Sequence, residues 1–131
     1  MGRIRQVNSP RFLLDTHVFL WAIRDDERLS SNHRTIIAGG EGIAISVVSI
    51  WEIAIKRSSG KLVADGDMVQ LLNERAIPIL AINEHHASRV EHLANHHRDP
   101  FDRLLIAQAQ VEKLAILTAD PMFARYDVAL A

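Results

Sequence analysis

Four short apolar runs set the fold class of this 131-residue chain. Phe12-Leu13-Leu14, Ile43-Ala44-Ile45, Ile77-Pro78-Ile79-Leu80 and Ala115-Ile116-Leu117-Thr118 are continuous rather than alternating, the pattern of strands buried on both faces. Helical segments separate them, over 16–23, 30–38, 47–57, 67–75, 83–94 and 99–113. Ser46, Asn83 and Asp99 stand where N-caps belong, and Pro100 follows Asp99 at the first helical position. Short buried strands joined by helices require crossover connections, and so a mostly parallel sheet with helices on both faces. Pro78 suits an edge strand. Asp120-Pro121 opens a short helical turn, and Val128-Ala129-Leu130 reads as a fifth strand. Residues 1–10 form a polar lead-in that ends in the breaker Asn8-Ser9-Pro10, and residues 11–131 form one domain.

Composition narrows the function classes. Fifteen Lys and Arg against sixteen Asp and Glu give a net charge of -1, so a polyanion partner must be held by local patches or by a metal. There is no cysteine, which excludes a disulfide scaffold, a thiol nucleophile and a Cys-ligated zinc site. That usage fits a reducing, cytoplasmic setting. The first residues have no signal-peptide pattern, and no apolar run approaches the roughly 18 residues of a membrane span.

Parallel sheets bind ligands beyond the carboxyl ends of their strands. Asp15 follows the first strand and Asp120 follows the fourth. Asp102 opens the helix that leads into the fourth, and Glu52 lies mid-helix after the second. Taken singly, Asp15, Asp102 and Asp120 also read as helix-start acids. Glu52, with Ser49 and Lys56, also reads as a solvated stripe carrying an i,i+4 ion pair. Taken together they are harder to explain so. If strands one, two and four are neighbours, four carboxylates meet at one edge. A pair of them 5 Å apart repels by about 3 kcal/mol at an effective dielectric near 20. A hard divalent cation, Mg²⁺ or Mn²⁺, is the natural counter-charge for an all-oxygen site of this kind.

These residues carry a resemblance. Leu13-Leu14-Asp15-Thr16-His17, the stretch Ser46 to Ile53, the stretch His97 to Ala109 and Leu117-Thr118-Ala119-Asp120 resemble, in order and spacing, the PIN-domain ribonucleases. More closely they resemble the VapC toxins of bacterial toxin–antitoxin pairs. The resemblance implies a three-layer α/β/α fold with a sheet of four to five strands. It implies an endoribonuclease using one or two Mg²⁺ or Mn²⁺ ions, which hydrolyses RNA phosphodiester bonds with activated water. Asp15 and Asp102 would be the principal ligands, Glu52 and Asp120 would complete the cluster, and Thr16 and Thr118 would orient the acids or water. It also implies a homodimer, silenced by a VapB-like antitoxin. The lead-in is longer than the family's usual one.

Other side chains are weighed against plainer roles. His92 and His96 have i,i+4 spacing, with His85 two turns before His92, but without an HExxH pattern a solvated face is the preferred reading over zinc. Lys56, Arg98 and Arg103 are candidate contacts for RNA phosphates, or ordinary surface charge. Trp21 and Trp51 sit among apolar neighbours and are read as core. An inactive PIN-fold interaction module is the alternative. An Asp-nucleophile phosphatase is a weaker one, since the Asp-x-Asp of one such class and the acid pair and lysine of another are missing.

Overall fold

In the computed structural model, which describes residues 9–131, four parallel strands form one sheet in the order β3-β2-β1-β4. The strands are β1 (Phe12–Leu14), β2 (Ile43–Ser46), β3 (Ile79–Leu80) and β4 (Ala115–Leu117). Phe12 pairs with Ile43 on one side and with Ala115 on the other. Six α-helices connect and flank them: α1 (Thr16–Arg24), α2 (Ser31–Gly39), α3 (Val47–Ser58), α4 (Met68–Glu74), α5 (Glu84–Arg89) and α6 (Pro100–Glu112). Residues 1–8 of the expected lead-in lie outside the described part.

Side-chain alternation along the strands makes three layers. Leu14, Ile43, Ile45 and Leu117 face one core, shared with Val18, Phe19, Ile53, Met68 and Leu72 of α1, α3 and α4. Leu13 and Ile116 face the other, shared with Leu105, Ile106 and Ala109 of α6 and with Phe123. The sheet winds outward from β1 to β2 and β3, then returns to the opposite side of β1 with β4. The reversal opens a crevice at the carboxyl ends of β1 and β4.

Differences from the expected elements have local causes. The third strand shortens to Ile79–Leu80; it is the edge strand, and the Pro78 carbonyl accepts the Ile45 amide at 3.0 Å. The fifth strand reduces to a single parallel bridge between Leu130 and Ile116. The helix expected over 83–94 stops at Arg89 and tightens into a 3-10 turn over Val90–His92. There the Arg103 guanidinium takes the Val90 carbonyl at 3.2 Å and the Ala94 carbonyl at 2.9 Å, acceptors that a continuing helix would keep for its own amides. His92 and His96 therefore do not share a helix. Trp51 is not core. It is 55% exposed, in one row with Val47 and Ile55, and meets Phe101 edge-on at 5.0 Å. Trp21 does pack against the first core.

Candidate active site

Asp15 lies at the crevice because Leu13 and Leu14 are buried and the chain must turn where β1 ends. Its amide donates to the Leu117 carbonyl at 2.9 Å, which fixes it beside β4. Although Asp15 occupies the N-cap position of α1, its carboxylate makes no capping hydrogen bond. Instead the Thr118 hydroxyl donates to Oδ2 at 2.9 Å, while Oδ1 is buried with no partner. The residue is 3% exposed. Burial pushes its carboxyl up, and the Glu52 charge adds to this; the Thr118 hydrogen bond, the His17 charge and, least, the Thr16 backbone amide oppose it without cancelling it.

Glu52 comes to the same place on α3. Ser46 starts this helix by accepting the Val48 amide at 3.1 Å. The polar stripe of α3 turns inward, not to solvent. Ser49 is fully buried and accepts the Thr16 hydroxyl at 2.7 Å. Thr16 thus ties α1 to α3, and of the two threonines it is Thr118 that bonds an acid. Glu52 is 2% exposed, and Lys56 Nζ donates to its Oε2 at 2.5 Å. Burial pulls the Lys56 ammonium down, but the Glu52 hydrogen bond and charge, with Asp99 and Asp102, outweigh it and hold it above its ordinary value.

Asp102 and Asp120 arrive from the other side. Asp99 caps α6 by accepting the Phe101 amide at 2.8 Å and the Asp102 amide at 3.2 Å, which frees the Asp102 carboxylate. Burial, then the charges of Asp15, Asp99, Glu52 and Asp120, push the Asp102 carboxyl up to about 8. Asp120 uses one oxygen as a cap for the 3-10 turn Pro121–Arg125, accepting the Met122 amide at 2.9 Å. Its amide donates to the Thr118 hydroxyl oxygen at 3.0 Å. One hydroxyl therefore joins Asp15 to the Asp120 backbone.

His97 is the residue that sequence reasoning passed over. Its Nε2 lies 2.8 Å from Asp102 Oδ2 and 3.2 Å from Asp120 Oδ2, so it bridges two of the acids. The available signal was its place two residues before the capping Asp99, whose amide donates to His97 Nδ1 at 3.3 Å. The candidate phosphate contacts divide. Arg98 is exposed and Lys56 partly so. Arg103 turns inward to carbonyls and to the Tyr126 hydroxyl at 3.3 Å, so it braces the fold and is not free to meet a phosphate.

The donor set fits a hard divalent cation. It is carboxylate-rich, and the buried Asp15 Oδ1 lacks a hydrogen bond, a costly state unless something else satisfies it. Beside Glu52 a cavity of about 310 Å³ opens between α1 and α3, lined in part by His17, Lys56 and Lys61. No helix among the described residues is long and apolar enough to cross a membrane.

The family model of the PIN domain matches residues 12–129. VapBC from Salmonella typhimurium, solved bound to DNA, superposes with a TM-score of 0.66 at 17% identity, over 92% of this chain and 96% of that one. VapBC2 from Rickettsia felis, bound to a DNA fragment from its promoter, gives 0.64 at 16% identity, over 92% and 96%. FitAcB from Neisseria gonorrhoeae gives 0.63 at 22% identity, over 91% and 95%. At these identities the likeness is one of fold. No curated protein sequence matches significantly.

Proposed function

The chain belongs to the PIN-domain family, and from that premise we propose that it is a metal-dependent endoribonuclease, the toxin of a VapBC-like toxin–antitoxin pair. The observation that carries this reading is the partnerless, buried Oδ1 of Asp15, in an acid cluster where the charges of Asp15, Glu52 and Asp120 all act on Asp102.

Asp15 and Asp102 would hold Mg²⁺ or Mn²⁺, with Glu52 and Asp120 completing the negative field. When bound, such an ion supplies Lewis acidity that activates water and offsets charge on a phosphodiester. The chain's own residues do the rest. Thr118 fixes the rotamer of Asp15 by its hydrogen bond. Lys56 donates to the buried Glu52 carboxylate and holds it in place. Arg98, which is exposed, and Lys56, partly so, would be the cations that meet RNA phosphates at the rim. The resemblance to VapC toxins and the VapBC fold neighbours support a VapB-like antitoxin as partner; the resemblance also implies a homodimer, and the lack of cysteine fits a cytoplasmic location.

The test is incubation of the purified protein with structured RNAs and Mg²⁺ or Mn²⁺. Wild type should cut RNA, chelation should stop it, and Asp15→Asn or Asp102→Asn should abolish it. Cleavage at the wild-type rate by either variant refutes the assignment. Co-expression with the neighbouring gene, read by growth and by co-purification, tests the toxin role separately.

A further inference from the structure

We infer that His97 is a positioning residue of the acidic site: it donates a hydrogen bond to Asp120 while standing against Asp102, and it is not itself a ligand of the cation. The inference rests on the metal-binding reading above.

The wiring follows from both ring nitrogens. The Asp99 amide donates to Nδ1 at 3.3 Å, so Nδ1 carries the lone pair and the proton resides on Nε2. That Nε2–H donates to Asp120 Oδ2 at 3.2 Å, and Asp102 Oδ2 lies at ion-pair distance, 2.8 Å from the same nitrogen. A histidine that ligates through Nε2 needs the opposite tautomer, with Nδ1–H given to an acceptor. Here Nδ1 meets a donor instead.

The ring is also held from behind. The His96 and His97 amides both donate to the Tyr126 hydroxyl oxygen, at 3.1 and 2.7 Å. Arg103 reaches the same oxygen at 3.3 Å and the Ala94 carbonyl at 2.9 Å. Phe123 stands edge-on to the imidazole at 6.0 Å. The loop is thus clamped before any ligand arrives. His97 engages Asp120 Oδ2, so Asp102 and Asp15, with its partnerless Oδ1, are the acids that would hold the cation. The three groups His97, Asp102 and Asp120 offer ligand atoms within 4.8 Å of one another. Proximity alone would make them a metal triad; the Asp99 amide on Nδ1 decides against it.

Mn²⁺ is the probe. Pulsed electron paramagnetic resonance of Mn²⁺ bound to the wild-type protein should show no directly coordinated nitrogen-14. Calorimetric titration should give Mn²⁺ affinity roughly tenfold or more weaker in His97→Ala, the range found when partners that hold ligating groups are removed. His97→Gln, which keeps an N–H near the Nε2 position, should recover most of it. Thermal melting of both variants checks that they fold. A strong nitrogen-14 coupling in wild type that vanishes in His97→Gln overturns the inference, because His97 is then a ligand. Wild-type affinity in His97→Ala overturns it as well. Failure of wild type to bind Mn²⁺ at all removes the metal reading itself, and is told apart by its independence of His97.

Discussion

The Thr118 hydroxyl donates to Asp15 Oδ2 at 2.9 Å across 103 positions of sequence. It is the side-chain bond that joins the end of β1 to the end of β4, beside the backbone bond from the Asp15 amide to the Leu117 carbonyl, and it leaves the other Asp15 oxygen bare. Thr118→Val keeps the shape and removes the donor, so a buried carboxylate loses its side-chain hydrogen bond. Stability of the metal-free protein should fall by about 1–3 kcal/mol, and Thr118→Ser should restore most of it. Urea denaturation in chelator measures both.

The raised Asp102 carboxyl predicts an unusual pH dependence. With its folded value at about 8 and an ordinary carboxylate near 3.8, the folded state holds the proton across that interval and the unfolded state does not. Folding stability of the metal-free protein should therefore fall as pH rises from about 4 to 8. Asp102→Asn should flatten this slope and make the metal-free protein more stable at pH 8, on the order of 2 kcal/mol after allowance for solvent screening. Denaturation midpoints at a series of pH values check it. A midpoint in Asp102→Asn that falls with pH as steeply as wild type's would contradict it.

Glu52 and Lys56 form a pair with one buried end: 2% exposure for the acid, 31% for the lysine. Lys56→Met strands a buried carboxylate and should cost about 2–3 kcal/mol in the absence of metal. Adding Glu52→Gln to it should recover much of the loss. A double-mutant cycle reads the coupling.

Tyr126 accepts the amides of His96 and His97. Tyr126→Phe removes that acceptor and leaves two backbone donors to find water. Amide hydrogen exchange should quicken at residues 93–98 while the core strands keep their protection. Unchanged exchange there would mean that the loop is held by other contacts.

Much of this architecture is legible in the residues themselves, for identifiable reasons. The strands announce themselves because a strand buried on both faces needs an unbroken apolar run, as Phe12-Leu13-Leu14 and Ile43-Ala44-Ile45 supply. The acids could be located because they sit at strand ends and helix starts. Their convergence followed once β2, β1 and β4 proved to be neighbours. Hydropathy misread α3, however. It placed Trp51 inside, whereas the helix turns Trp51 out and buries Ser49 and Glu52, as the site reading of Glu52 requires and the solvated-stripe reading does not. Site chemistry overrides apolar patterning there. The break after Arg89 and the role of His97 were hidden for a related reason. Both depend on Arg103 and Tyr126, which reach the 90–97 segment only through tertiary structure.

The central claim is that a divalent cation relieves the repulsion among Asp15, Glu52, Asp102 and Asp120. The most direct test is the melting temperature of wild type, Asp15→Asn and Asp102→Asn, each titrated with Mn²⁺ from a chelated start. A cation that binds only the folded state raises stability by roughly 2.7 kcal/mol at a hundred times its dissociation constant. Wild type should therefore rise by several degrees, saturably, and the two variants should respond little. A wild type indifferent to Mn²⁺, or variants that rise as far as it does, would contradict the account.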